Sequence, residues 1–150
     1  MRIYIDTSVF GGYFDEEFSI WSQLLFNQFI DGKRIAVISD LTLEELNNAP
    51  EIVSNLCNDI PQKFIEKIKL DESSIQLANF YIKEKVVTKK SIIDARHIAL
   101  ATINKVDILV SWNFKHIVNY DRIRLYNSVN LKYGYSIIDI RNPRDLSDEN

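Results

Sequence analysis

The chain opens with MRIYIDTSVF (residues 1–10), and this stretch decides the layout of the fold. Ile3 and Ile5 alternate as in a β-strand that turns one face toward a core. Asp6 stands where this strand ends, and Thr7 and Ser8 follow directly. An aspartate in this place either caps the next element or is the first member of a carboxylate cluster. The remaining sequence has to decide between these two roles.

The composition is that of one globular domain. A chain of 150 residues with 46% hydrophobic and 26% charged residues is long enough to bury a sizeable core. We expect a single domain over residues 1–150, with a flexible tail from about 144 to 150. The single cysteine cannot form an internal disulfide, and no apolar run reaches the length of a signal peptide or a membrane span. Both features favour a cytoplasmic protein without a membrane partner.

The net charge of -3 argues modestly against a protein that coats duplex nucleic acid. It is compatible with a nuclease, because acidic residues at a metal site offset basic residues placed around that site.

Short apolar runs alternate with helical patterns along the chain. Three later runs are typical of strands: RIAVIS (34–39), VDILVSW (106–112) and YSIIDI (135–140). Helical patterns cover 16–31, 40–50 and 91–105, and 51–87 is predicted as further helices that break near Pro61 and Asp71. This order predicts an α/β fold with a mainly parallel sheet. In such sheets, sites form beyond the carboxyl ends of the strands.

Glu45 borders the apolar side of its predicted helix. The row of residues four apart that passes through Glu45 holds Leu41 and Ala49, whereas Glu44 falls on the solvent side. The other interpretation of Glu45 is a capping box, since Thr42 precedes it by three residues.

Asp94 is the one acid in the apolar segment SIIDARHIAL (91–100). Ser91 precedes it by three residues, so a capping role is again possible, and the helix dipole favours an acid in the first turn. A carboxylate at the mouth of so apolar a helix otherwise needs a partner, and a metal ion is a suitable one.

Ser111 and Asn113 follow the strand DILV and stand two residues apart, so both can project to one face. The alternative for Asn113 is simple turn chemistry. His97 and His116 are the two histidines of the chain, and each is first interpreted as an ordinary core or surface residue.

The candidate ligands are hard oxygen donors on separate elements: Asp6, Glu45, Asp94 and the amide of Asn113. Oxygen ligation with few histidines and one cysteine favours Mg²⁺ or Mn²⁺ over a structural zinc ion.

Four stretches carry a resemblance to a known family: IDTSVF (5–10), ISDLTLEEL (38–46), DARHIALAT (94–102) and DILVSWNFKHI (107–117). In their order and spacing the chain resembles the PIN-domain family, particularly the VapC-like toxin ribonucleases of bacterial and archaeal toxin–antitoxin pairs. The resemblance spans Met1 to about Pro143. It implies a three-layer α/β/α domain with a mainly parallel central sheet.

The resemblance also implies a metal-dependent endoribonuclease. The family's three acids fall on Asp6, Glu45 and Asp94 as ligands of Mg²⁺ or Mn²⁺. Thr7, Ser111 and Asn113 complete the expected catalytic set, and His116 stands where some members carry a further aspartate. The residues expected to contact the RNA are Ser8, Lys90, Arg96, Lys115 and His116. Ser8 or Thr7 can instead orient Asp6.

The implied partners are an RNA substrate, a cognate antitoxin protein and a second copy in a homodimer. The main alternative is a non-catalytic PIN-like module that binds RNA or protein through a degraded metal site. A phosphotransferase that uses Asp6 as nucleophile is disfavoured, because Ser8 occupies the second acidic position of the usual D-x-D-x-T loop. A third interpretation takes the acids only as helix caps, which predicts no Mg²⁺ binding.

Overall fold

The computed structural model describes residues 1–147. Its centre is a five-stranded sheet in the order β3-β2-β1-β4-β5, and every neighbouring pair is parallel. The strands are β1 (Arg2–Ile5), β2 (Ile35–Ser39), β3 (Ile65–Ile68), β4 (Ile108–Val110) and β5 (Ile140–Arg141). The opening stretch thus supplies the central strand, with β2 and β4 on either side.

The helices of the described residues cover both faces of this sheet. They are α1 (Thr7–Gly12), α2 (Ser19–Ile30), α3 (Asp40–Asn47), α4 (Glu51–Ser54), α5 (Glu72–Lys83), α6 (Ile92–Ile103), α7 (Tyr120–Lys132) and α8 (Pro143–Ser147). None of them is long and apolar enough to cross a membrane.

Two hydrophobic cores lie on opposite sides of the sheet. Ile3 and Ile5 belong to the core that contains residues of α1, α2 and α8. Tyr4, between them, belongs to the other core, which contains residues of α5, α6 and α7. This alternation follows from the two-residue period of a strand. The predicted three-layer α/β/α architecture with a mainly parallel sheet is confirmed.

The region 51–87 differs from its prediction as helices. It contains α4, two short 3-10 turns and α5, but also the edge strand β3 at Ile65–Ile68. This strand has no fully buried residue, so it lacks the apolar run by which the other strands are identified. The helices α1 and α7 were not predicted either.

Gly32 follows the end of α2. It has a φ of 76°, and a β-carbon there would lie 2.4 Å from the ring of Phe64. Only glycine satisfies both the left-handed backbone and this contact.

The predicted tail begins with α8, whose Leu146 is fully buried and which packs against α2. The segment 144–147 is therefore a packed helix in the structure, and 148–150 lie outside the described residues.

Candidate active site

The candidate site lies where β1 and β4 end side by side. Ile5 pairs with Val110 in the sheet, so Asp6 and Ser111 are the next residues of two neighbouring strands. Ser111 Oγ donates a hydrogen bond of 2.8 Å to Asp6 Oδ2. The rule that parallel strands place their polar residues together at the carboxyl ends is followed here.

Asp6 is the most tightly held acid of the site. The residue is 6% exposed, and Oδ2 accepts a second hydrogen bond of 2.6 Å from Ser8 Oγ. Ser8 Oγ in turn accepts a hydrogen bond from the backbone N–H of Trp112. Asp6 occupies the N-cap position of α1, yet its side chain makes no capping hydrogen bond there. The carboxylate therefore accepts hydrogen bonds from Ser8 and Ser111 instead of capping α1, and Ser8 orients Asp6.

Glu45 is fixed by two donors from different parts of the fold. Its Oε1 accepts hydrogen bonds from Thr7 Oγ1 at 2.8 Å and from His97 Nε2 at 2.6 Å. Burial acts to raise the pKa of Glu45, but the hydrogen bonds and the charge of His97 outweigh it and lower the pKa. The capping-box interpretation is wrong, because the cap of α3 is Ser39, whose Oγ accepts from the N–H of Thr42.

His97 is a site residue that the sequence analysis missed. It is 1% exposed, and its Nε2 lies 3.7 Å from Asp6 Oδ1 as well as 2.6 Å from Glu45. Burial acts to lower the pKa of His97, but Glu45, Asp6 and Asp94 together raise it. The signal that identifies it is the spacing Asp94-x-x-His97, which puts both side chains on one face of α6.

Asp94 faces the same group of charges but is held by no hydrogen bond from residues 1–147. Burial, followed by the charge of Asp6, raises the pKa of Asp94, and Glu45 adds to this while His97 and His116 oppose it. Ser91 precedes α6 at the N-cap, but its side chain makes no capping hydrogen bond. The structure therefore does not support a capping box. We call Asp6, Glu45, Asp94 and His97 the acidic cluster.

The acidic cluster has the donors that a hard divalent cation prefers. Asp94 is a half-buried carboxylate whose ionised form is disfavoured first by burial and then by two neighbouring acids, which is a situation that a bound cation relieves. Within the residues described, however, no three acidic, histidine or cysteine side chains stand in an arrangement that is ready to hold a metal ion. The chemistry of the donors thus fits Mg²⁺ or Mn²⁺, but the side chains described are not arranged around one metal position.

Asn113 has the role of a turn residue. Its Oδ1 accepts hydrogen bonds from the backbone N–H groups of Lys115 and His116 at 3.2 and 3.0 Å. This oxygen is therefore directed to the loop after β4, and the turn interpretation of Asn113 is the one that the structure supports.

The four basic residues expected to contact RNA fall into two groups. Lys90 and Lys115 are exposed, and neither forms an ion pair with another residue of the described chain. Arg96 Nε and His116 Nδ1 are buried atoms without a hydrogen-bond partner among residues 1–147. Of these four residues, His116 acts electrostatically on Asp94 and opposes the rise of its pKa.

Comparison with known proteins shows similarity in structure alone. No family model and no curated protein sequence matches the chain. The toxin VapC20 of Mycobacterium tuberculosis, which cleaves the sarcin–ricin loop, superposes with a TM-score of 0.59 at 12% identity, over 76% of this chain and 92% of that one. VapBC2 of Rickettsia felis, bound to a promoter DNA fragment, gives a TM-score of 0.56 at 15% identity, over 95% and 98% of the two chains. The resemblance is confirmed at the level of the fold: the chain has the fold of the PIN-domain VapC toxins.

Proposed function

We propose that the protein is a metal-dependent endoribonuclease that uses the acidic cluster. The observation that carries this proposal is the convergence of Asp6 and Glu45 on His97, with Asp94 under the electrostatic influence of both acids. His97 Nε2 contacts both Glu45 and Asp6, and Asp6 and Glu45 both act on the pKa of Asp94. Independent helix caps would not interact in this way. Cleavage of an RNA by a toxin of the same fold supports RNA as the substrate.

The ligands of the proposed Mg²⁺ or Mn²⁺ ion are Asp6, Glu45 and Asp94. When bound, such an ion polarises a water molecule and offsets the charge that develops on the scissile phosphate. The chain's own contribution is to hold the ligands in place. Ser8 and Ser111 fix Asp6, and Thr7 fixes Glu45.

The RNA backbone would be contacted by cations around the cluster. Lys90 and Lys115 supply exposed charge, and the half-buried Arg96 and His116 are the further candidates. We propose single-stranded or loop RNA as the target, because the bases of unpaired RNA can be splayed out and contacted by side chains.

The decisive experiment compares the wild type with Asp6→Asn on structured RNAs, with Mg²⁺, with Mn²⁺ and with a chelator. We expect cleavage that needs the metal and falls at least about 100-fold in the variant, since a metal ligand is lost. Asp121→Asn, an exposed acid at the start of α7, is the matched control and should cleave as the wild type does.

The same experiment separates the main alternative. A non-catalytic binding module is favoured by one observation, the absence of a ready-made metal cluster within residues 1–147. RNA binding by the wild type without cleavage under any metal condition would reject the nuclease and support this module.

The proposed biological role is that of a toxin in the cytoplasm, paired with an antitoxin, with homodimerisation as a further proposal. The solved complex VapBC2, whose fold this chain shares, supports such a partner. Growth arrest on expression of the wild type, but not of Asp6→Asn, and rescue by a small neighbouring gene would test this role.

A further inference from the structure

A chain of buried hydrogen bonds leads from the acidic cluster into the core. His97 Nε2 lies 2.6 Å from Glu45 Oε1, and His97 Nδ1 lies 2.6 Å from the hydroxyl of Tyr4. Tyr4 is fully buried on the central strand β1. Both nitrogens of the imidazole are therefore occupied, and only one orientation of the ring satisfies both contacts.

From Tyr4 the chain continues to the start of the helix that carries Glu45. The Tyr4 hydroxyl lies 2.8 Å from Ser39 Oγ, and Ser39 Oγ accepts the hydrogen bond from Thr42 N–H that caps α3. Glu45 is thus linked to the cap of its own helix in two ways, along α3 and through His97 and Tyr4. A shift of the ring would break contacts at both ends.

The direction of the key hydrogen bond follows from chemistry. An ionised Glu45 can only accept, so Nε2 of His97 carries the proton whether or not the ring is charged. Burial raises the pKa of Tyr4, so its hydroxyl keeps its proton and has partners both in His97 Nδ1 and in Ser39 Oγ. Removal of this hydroxyl leaves a buried nitrogen without a partner.

We propose that His97 and Tyr4 are positioning residues for Glu45: His97 sets the orientation of the carboxylate, and Tyr4 sets the orientation of the ring. The inference rests on the proposed nuclease function, since the carboxylate so positioned is one of the proposed metal ligands. Groups that orient a metal ligand from behind commonly change metal affinity or activity by about 10–100-fold when removed.

The test uses Tyr4→Phe together with a matched control, Tyr81→Phe. Tyr81 is equally buried, and its hydroxyl contacts Asn130 on α7 rather than the acidic cluster. We expect Tyr4→Phe to lower kcat for RNA cleavage and the affinity for Mn²⁺ by about 10-fold, with KM for RNA nearly unchanged. Tyr81→Phe loses a buried hydrogen bond as well, so it should lose stability but keep kcat and Mn²⁺ affinity.

Substitutions of His97 distinguish positioning from packing. The amide of glutamine can replace Nε2 and still donate to Glu45. The amide of asparagine, one carbon shorter, lies near the position of Nδ1 and does not reach Glu45. His97→Gln should therefore retain several times more activity and Mn²⁺ affinity than His97→Asn. Equal losses in both variants would overturn the proposal, as would a Tyr4→Phe protein that matches Tyr81→Phe in kcat and Mn²⁺ affinity.

A spectroscopic readout keeps this result separate from the fate of the nuclease proposal. The chain has two histidines, so their ring nitrogens can be resolved by ¹⁵N NMR and assigned with His116→Gln. The metal-free wild type should show a protonated Nε2 for His97, and Tyr4→Phe should shift its Nδ1 signal while Tyr81→Phe does not. If the wild type neither cleaves RNA nor binds Mn²⁺, the nuclease proposal fails while these shifts still report whether Tyr4 holds the ring. Unchanged His97 signals in Tyr4→Phe would overturn the inference itself.

Discussion

Asp6 and Asp94 belong to one acidic cluster but are held in opposite ways. Asp6 follows the central strand and receives hydrogen bonds from Ser8 and Ser111. Asp94, in the first turn of α6, receives no hydrogen bond from residues 1–147, and burial and the charge of Asp6 raise its pKa. The chain thus satisfies one carboxylate internally and leaves the other without a hydrogen-bond donor from residues 1–147. Folding therefore completes the surroundings of Asp6, whereas Asp94 remains available to the proposed metal ion.

The largest expected effect comes from Asp94, the acid that receives no hydrogen bond from residues 1–147. Asp94→Asn removes a proposed metal ligand and should lower metal-dependent cleavage at least about 100-fold. It also removes repulsion from Asp6 and Glu45, so the metal-free variant should unfold at a higher temperature than the wild type. Cleavage assays and thermal unfolding measure the two effects.

Divalent metal should reverse that order of stability. Saturating Mn²⁺ stabilises a protein that binds it, by about 2.7 kcal/mol at 100 times Kd, and Asp94→Asn should lose most of this gain. A variant that is stabilised by Mn²⁺ as much as the wild type would show that Asp94 is not a ligand.

A smaller effect is expected from the residues that hydrogen-bond Asp6. Ser111 is fully buried, and Ser111→Ala takes a donor from Asp6 and an acceptor from the N–H of Asn113. Loss of such buried partners costs about 1–3 kcal/mol of the free energy of unfolding. Urea unfolding without metal should therefore show Ser111→Ala destabilised where Asp94→Asn is stabilised. Two variants that move in the same direction would contradict the contrast between Asp6 and Asp94.

The smallest effect is a pH dependence from His97, whose ring contacts Asp6 and Glu45. Its pKa is raised in the folded protein above the ordinary 6.5 by Glu45 and Asp6, against the effect of burial. This contribution to stability is fully present below pH 6.5 and is lost as the pH rises through the folded-state pKa. Without metal, the unfolding temperature of the wild type should fall more steeply above pH 6.5 than that of His97→Gln. Parallel profiles for the two proteins would reject a raised pKa at His97.

Much of the site could be predicted from local patterns. Glu45 was distinguished from Glu44 by helical periodicity alone, and the structure has Glu45 half-buried against Thr7 and His97 and Glu44 exposed. Asp6 and Ser111 could be expected together, because each ends an apolar run that is typical of a parallel strand. Their catalytic and metal-binding roles stay predictions.

Other features depended on contacts between distant segments. The spacing Asp94-x-x-His97 places the histidine on the same helix face as Asp94, but it does not distinguish packing from function; the role of His97 is defined by Tyr4 and Glu45, far away in the chain. The side-chain oxygen of Asn113 is of a type that can bind a metal ion. In the structure, this oxygen instead accepts hydrogen bonds from backbone N–H groups of its own turn.

The two glycines of α1 show the same dependence on tertiary contacts. They make TSVFGG a poor helix former by itself. Gly12 is nevertheless required, because a β-carbon there would lie 2.5 Å from Nε1 of the Trp112 ring.

The layered α/β class and the place of Asp6 at the end of the opening strand could be derived from the sequence alone, because apolar alternation and strand–helix order are local properties of the chain. It also marked the acids that end up in the cluster. Only the tertiary structure decided that hydroxyls of Ser8 and Ser111 satisfy Asp6 while Asp94 receives no such bond from the described chain. The physical reason is that hydrogen bonds and charge interactions depend on distances of a few ångströms between segments that are remote in the chain.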